Sequence, residues 1–374
     1  MLRYLNGGES HGECMVAILE GVPSGLSVTT DVIERELKRR MFGYGRGGRM
    51  KIEKDKVRIV SGLRRGRTIG SPITFVIENK DRGIDRLPAI VNARPGHADL
   101  AGAQKYSHTD IRNVLERSSA RNTVARVSVG AFARILLHEF GVDVLSHVTL
   151  IGSERAPVRD RSFASIRRKA ERSQVRCADS EASKRMMDEI DDAKRHGDTL
   201  GGEFEIIAAN VPTGLGSYAQ WDRKIDGMIA RAVMSIQAIK AVGIGRGVES
   251  GALRGSEFHD EIFYSKTRGF FRKTDNAGGI EGGVTNGEDI LVRATMKPIA
   301  TLKKPLASVN IKTGRPVKAS VERSDVCAVP AAGVIGEAVV CFELANAMIE
   351  KFGGDSTNEM RRNYQGYVRQ LRRS

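Results

Sequence analysis

Residues 326–342 form the longest apolar run of the chain, and few structures can accommodate it. Pro330, Gly333, Gly336 and Glu337 interrupt the run, which falls short of the ~20 apolar residues a membrane span needs. It reads as a buried helix, expected over about residues 332–352. A second apolar helix is expected over roughly 224–242. A third covers about 113–139, where Val114, Leu115, Ala120, Val124, Val127, Ala131 and Leu136 recur at helical spacing. The pattern VIERELKRRM predicts a helix over 30–41 with Thr30 or Asp31 as N-cap. Strand-like runs fall at 57–60, 73–77, 204–209 and 290–294. Strands and buried, small-residue helices thus interleave along the whole length. This predicts an α+β architecture with helices packed between or against sheets, in one large domain over 1–374. Residues 153–198 are the exception: their polar helices lack a strong apolar stripe, so they are expected to be peripheral, outside the core.

With 40% hydrophobic and 28% charged residues, the 374-residue chain can bury a full core, which excludes disordered and fibrous classes. Aromatics are only 5% and no fixed-period repeat accompanies the 41 glycines, against a solenoid or propeller. Cys14, Cys177, Cys327 and Cys341 lie too far apart for zinc or redox pairs and are too few for a disulfide framework. A reducing cytoplasm and no metal site are expected. The opening MLRYLNGG has neither the apolar core of a signal peptide nor an amphipathic transit helix.

The net charge of +15 is compatible with nucleic acid, an anionic membrane or small polyanionic ligands, and its distribution has to decide. Between Arg155 and Arg195 basic and acidic residues alternate, the pattern of solvated helices. A second set of arginines lies in glycine-rich, otherwise uncharged segments, where solvation is not a sufficient reason for them. Gly43, Gly45 and Gly48 match GxGxxG, but a helix precedes and a strand follows, the reverse of a dinucleotide fingerprint. What remains is a loop carrying Arg46 and Arg49, with Arg39 and Arg40 upstream. It is either a basic surface loop or a place where guanidinium forks grip phosphate or carboxylate. GESHG puts His11 on a tight turn, and RPGHAD puts His97 on another beside Arg94 and Asp99. A lone histidine is more often structural, although its ordinary pKa of about 6.5 suits proton transfer. Arg117, Ser118, Ser119, Arg121 and Asn122 lie near the start of an apolar helix, a place suited to phosphate or to a simple N-cap. Arg323 and Asp325 stand at the approach to the last buried helix.

Taken together and in order, GESHG, RSSAR and RSDVCAVPAAGVIGE resemble the three signature regions of the chorismate synthase family. FGYGRGGRM, RPGHAD, SIQAIKAVGIG, GGIEGGVTNG and MKPIATL extend the likeness over nearly all of residues 2–355. The resemblance implies a β-α-β sandwich with helices between sheets. It implies anti 1,4-elimination of phosphate from 5-enolpyruvylshikimate 3-phosphate, dependent on reduced FMN that is not consumed. By the same resemblance His11 protonates the reduced flavin, His97 protonates the departing phosphate, and Asp325 acts with the flavin in removing the C6 proton. FMN contacts are implied for Arg117, Ser118, Ser119, Gln237, Ala238, Gly282, Lys297, Pro298, Ile299, Ala300, Thr301 and Arg323. Arg40, Arg46, Arg49 and Arg121 are implied to cradle the substrate's phosphate and carboxylates. A homotetramer is also implied.

One departure is Asn122, where the family commonly has Glu after SSAR; Asn keeps a hydrogen-bond acceptor there. Two rival readings differ in class. A nucleic-acid binder is opposed by the few aromatics and by arginines scattered on glycine turns instead of in a stripe. An FMN oxidoreductase with net hydride transfer would end each turnover with its flavin oxidised or reduced in stoichiometric exchange. The length leaves no room for an obvious reductase domain, so an external flavin reductase is expected as a partner, with intrinsic NADPH-dependent reduction left open. No nucleic-acid or membrane partner is expected.

Overall fold

The computed structural model describes residues 1–48, 53, 55–157 and 162–372. Two antiparallel sheets enclose a helical layer. The smaller is built from β1 (Arg3–Gly7), β2 (Cys14–Glu20), β3 (Arg58–Ile59) and β4 (Ile73–Glu78), in the order β1-β2-β4-β3. The larger contains β5 (Asp143–Ile151), β6 (Glu154–Arg155), β7 (Gly202–Ala209), β8 (Ile239–Ile244) and β9 (Ile290–Met296), in the order β8-β9-β7-β5-β6. Alternation sets which face each strand buries: in β4 Ile73, Phe75 and Ile77 point to the core, and in β9 Ile290, Val292 and Ala294 do so.

The helices are α1 (Thr30–Met41), α2 (Asp99–Tyr106), α3 (Arg112–Ser118), α4 (Thr123–His138), α5 (Phe163–Arg172), α6 (Ser180–His196), α7 (Ile225–Met234), α8 (Val329–Phe352) and α9 (Thr357–Leu371). α4 packs on the small sheet and on α8, and α8 packs in turn on the large sheet. This gives a sheet–helix–sheet sandwich, as expected. α8 is long and apolar enough to cross a bilayer, but 94% of its most apolar window is buried inside the protein, so it serves as the core helix.

Glycine lets these layers approach closely. A Cβ on Gly130 of α4 would lie 2.5 Å from the Cβ and carbonyl oxygen of Ala338 on α8. One on Gly336 would lie 2.7 Å from Ile206 of β7. The acidic residue between Gly336 and Ala338, Glu337, is fully buried and held by Arg39 (2.8 and 2.9 Å), Arg134 (2.6 Å), Arg176 (3.1 Å) and the Ser146 hydroxyl (2.6 Å). Burial would raise its pKa, but the three arginines outweigh this and hold the carboxyl well below the usual range.

Three expectations need correction. The helix expected over 113–139 is broken at Ser119, whose backbone is extended (ψ 143°) and whose hydroxyl accepts from Arg121 N at 3.2 Å. The helix expected over 224–242 stops at Met234, passes through Ala238 at φ 68°, and continues as strand β8 paired to β9. The segment 153–198 does cover one edge of the fold, but Ala182, Met186 and Ile190 on one face of α6 join the main hydrophobic core. It therefore has an apolar stripe and is not outside the core. In addition, Thr29, not Thr30 or Asp31, is the N-cap of α1.

Candidate active site

The sandwich leaves a cleft of about 740 Å³ at the N-terminal end of α8, where the β1–β2 turn, the C-terminal end of α1, the α3–α4 break, the α7–β8 turn and the loop after β9 converge. That volume lies within the ~300–1,000 Å³ of ordinary ligand sites. Of the residues implied by resemblance, His11, His97, Asp325, Ser118, Ser119, Gln237, Ala238, Lys297, Ile299, Ala300, Thr301, Arg323, Arg40, Arg46 and Arg121 all line it. Arg117, Gly282 and Pro298 are not on its wall. Arg117 donates instead to Asn6 and Gly8 at the end of β1. Gly282 sits on a hairpin turn, its carbonyl accepting from Lys224 at the start of α7. The ten residues of α7, ~15 Å of helix, separate it from Gln237. Arg49 lies outside the described residues.

The cationic corner is built from the buried Arg40 and Arg121 and the partly exposed Arg46. Arg40, 3% exposed at the end of α1, donates to Thr123 (2.9 Å) and lies 3.5 Å from Asp55. Arg121, on the short turn between α3 and α4, reaches Asp55 (2.5 Å), Asn79 (2.8 Å) and Glu53 (3.6 Å). Arg46 meets Asp325 at 2.6 Å, and Asp325 also accepts from Gly47 N at 2.6 Å. Burial pushes the Arg40 guanidinium down to about 10, with Arg121 and Arg46 adding to the effect and Asp55 opposing it. A bound anion would relieve that crowding of like charge.

Each histidine has a buried carboxylate behind it. His11 Nδ1 lies 2.9 and 3.1 Å from the two oxygens of Glu116, and His11 N donates to the same carboxylate at 2.8 Å. Burial would raise the Glu116 pKa; the bonds from His11 outweigh it and lower the value, with Arg112 adding to them. His97 Nδ1 lies 2.5 Å from Asp99, which is fully buried and also accepts from Arg94 Nε (2.8 Å), Arg94 Nη2 (3.0 Å) and Arg94 N (3.0 Å). Against its burial, the His97 and Arg94 bonds hold the Asp99 carboxyl far below the usual range. In both dyads Nδ1 makes the close contact, and Nε2 has only a longer one, 3.8 Å to Asp81 in His11 and 3.4 Å to Arg94 Nη2 in His97, so it is the nitrogen less committed to the protein. Burial, reinforced by Lys240, pulls the Lys297 ammonium down from its ordinary value.

Sequence reasoning assigned no role to Arg94, Arg112, Glu116, Glu322 or Ser10, all at or directly behind the wall. The spacing of Arg112 and Glu116, one helical turn apart, is the one signal that could have pointed to a pair. Asn122 accepts from Gln237 Nε2 at 3.1 Å, tying the α3–α4 break to the α7–β8 turn. The hydroxyl of Ser118 and the side-chain amide oxygen Oε1 of Gln237 are buried in this wall without a hydrogen-bond partner among the described residues. Such orphaned polar atoms fit the edge of a polar, planar ligand such as a flavin.

Residues 2–349 match the family model described as chorismate synthase. The chorismate synthases of Geobacter sulfurreducens and Desulforamulus reducens are both 54% identical to the chain, the first over 100% of each protein and the second over 99% of this chain and 100% of its own length. A chain from a crystal structure of chorismate synthase superposes with a TM-score of 0.83 at 42% identity, covering 100% of this chain and 99% of the other. The chain therefore belongs to the chorismate synthase family, whose members are carbon–oxygen lyases acting on phosphates.

Proposed function

We propose that the cleft binds 5-enolpyruvylshikimate 3-phosphate together with reduced FMN and eliminates phosphate in the anti 1,4 sense to give chorismate. The observation that carries this reading is one wall holding three guanidiniums, the buried Arg40 and Arg121 and the partly exposed Arg46, with His97 and Asp325 on the same cleft. The triad matches a substrate with one phosphate and two carboxylates, since guanidinium forks bind such groups two oxygens at a time. His97, oriented by Asp99, protonates the phosphate as it leaves. Asp325, steadied by Arg46 and the Gly47 N–H, accepts the C6 proton. Ser118, Ser119, Gln237, Ala238, the 297–301 loop and Arg323 hold the flavin, and His11, backed by Glu116, keeps a proton available to it. Held by these residues, reduced FMN would supply the transient electron density that the elimination needs, with no net redox change. Gly282 reaches a flavin only from a second copy of the chain, in keeping with a homotetramer. The enzyme works in the cytoplasm, with a separate flavin reductase.

The test is anaerobic incubation of the protein with 5-enolpyruvylshikimate 3-phosphate and chemically reduced FMN, following chorismate, phosphate and the flavin spectrum together. Equal release of both products with the flavin still reduced is expected. Flavin oxidation in step with product would instead select a net hydride-transferring oxidoreductase. A parallel run with NADPH and oxidised FMN is expected to stay silent, and product there would reveal an intrinsic reductase.

A further inference from the structure

A second cavity, of about 260 Å³, opens between α4, α7, α8 and the edge strand β1. Its apolar wall includes Val129, Val339 and the edge-to-face pair Tyr4 and Phe342, whose ring centroids are 5.1 Å apart. Its polar side consists of Arg126 from α4, Arg231 from α7 and Glu343 from α8. Glu343 is only 6% exposed, yet among the described residues it makes no hydrogen bond and no ion pair. Arg231 likewise makes none among them. Arg126 spends both terminal nitrogens on the C-terminal end of α7, donating to Ser235 O (3.1 Å), Ser235 Oγ (2.7 Å) and Ala232 O (3.3 Å), and its Nε–H is buried without a partner.

Glu343 is thus a largely buried acid whose carboxylate oxygens open only into the cavity and meet no protein partner there, an arrangement that calls for an explanation. Here burial pushes Glu343 up to about 7, while Arg231 and Arg126 pull the other way. The arginines are thus near enough for their charge to be felt at the carboxyl but too far to pair with it. A group that bridges this gap must present a cation to Glu343 and an anion to the arginines, a few bonds apart. A dicarboxylate would be repelled by Glu343, and a simple amine would make no use of Arg231 on the same cavity wall. The volume falls below the ~300 Å³ at which drug-sized pockets begin, so the ligand is small.

We infer that this cavity is a binding site for a zwitterionic α-amino acid with an apolar side chain. The ammonium group pairs with Glu343, the carboxylate with Arg231 and the Arg126 Nε–H, and the side chain lies on Val129, Val339 and the Tyr4–Phe342 edge. Occupancy bears on the catalytic cleft, because Arg126 fixes the end of α7 two residues before Gln237. This site goes beyond the reaction assigned to the cleft and does not depend on it.

Calorimetric titration of the full chain with L-phenylalanine and L-leucine at pH 8 reads binding without reference to activity. Saturable binding of one ligand per chain is expected for at least one of them. L-Phenylalaninamide and N-acetyl-L-phenylalanine, each lacking one charge, are expected to bind at least tenfold more weakly. Tyr4, Arg126 and Arg231 are the titratable and charged groups facing Glu343, whose own carboxyl burial pushes up to about 7. Affinity should therefore fall by about tenfold per pH unit below 7. Glu343→Gln, and separately Arg231→Met at an exposed position that leaves folding intact, are expected to abolish or strongly weaken the binding while basal chorismate formation is unchanged. No saturable heat up to ~10 mM, equal binding of the capped compounds, or binding indifferent to both substitutions overturns the site.

Discussion

Every arginine on the described cleft wall is paired with a carboxylate: Arg40 and Arg121 with Asp55, Arg94 with Asp99 and Arg323 with Asp81 off the wall, Arg46 with Asp325 and Arg112 with Glu322 on it. The bracing fixes the guanidinium planes before a ligand arrives, so less freedom is lost on binding. The histidines follow the same rule, and this makes Glu116 a positioning residue. Glu116→Gln keeps the acceptor for His11 N but loses the charge opposite Nδ1. It is expected to lower kcat by roughly 10–100-fold with KM little changed. It should also move the pH profile of kcat, which a purely structural role would leave in place; an unmoved profile would remove Glu116 from the proton-handling apparatus. Asp275 tests burial in the company of like charge. Burial first, then Asp260, Glu288 and Asp289, push its carboxyl up to about 6 against one stabilising bond from Gly279 N. A raised carboxyl pKa favours the protonated folded form, so this contribution to stability is intact below about pH 4 and lost as pH rises through 6. Asp275→Asn is therefore expected to stabilise the protein at pH 8 by roughly 1–3 kcal/mol and to have little effect at pH 4, as read by urea unfolding at the two pH values.

At the scale of elements, the crossing of α4 over α8 carries the sandwich. Because a Cβ at Gly130 would stand 2.5 Å from Ala338, Gly130→Ala has to push the helices apart. A loss of about 3 kcal/mol is expected, the upper part of the range for overpacking. Adding Ala338→Gly should recover part of it, a coupling read from a double-mutant cycle by denaturant unfolding. A cost under about 0.5 kcal/mol for Gly130→Ala would mean that the helices yield easily. This contact explains which elements can be read from the sequence. The α1 pattern and the strands β4, β7 and β9 follow local periodicity, and the structure has them within a few residues of the expected ranges. The breaks at Ser119 and after Met234 follow distant partners: Ser119 meets Ser10 at 3.1 Å, Gln237 meets Asn122, and β8 pairs with β9. No window of neighbouring residues contains that information. The same holds for the site. Its two histidines and most of its lining arginines are visible through motifs, Arg94 and Arg112 being given no role, but Asp55 and Arg121 stand 66 positions apart and only folding pairs them. α6 misled for a different reason: its apolar residues Ala182, Met186 and Ile190 are few and small against a strongly charged remainder, yet they suffice where the core is already closed on the other sides.

Over the whole molecule, the excess positive charge is arranged so that cations face the cleft while most of the acids that hold them lie behind its wall. Arg40, Arg46, Arg94, Arg112, Arg121, Lys297 and Arg323 line it, against Glu322 and Asp325 among the lining acids. Glu53, Asp55, Asp99 and Glu116 stay buried behind. A polyanionic substrate therefore meets a net positive field at the mouth, although the cleft and its surround together are close to balanced. Such a field acts on encounter and on binding, is screened by salt, and leaves the chemical step within the desolvated cleft largely untouched. Raising the salt from about 0.05 to about 0.5 M, which shrinks the screening length from roughly 14 to roughly 4 Å, is expected to raise KM for the phosphorylated substrate several-fold while kcat changes less than twofold. Steady-state kinetics under reduced flavin at a series of chloride concentrations measures both. A KM indifferent to salt would assign substrate capture to short-range contacts with Arg40, Arg46 and Arg121 alone. A fall in kcat of the same size as the rise in KM would mean that the field acts on the transition state, and that the separation drawn here between capture at the mouth and chemistry at His97 and Asp325 does not hold.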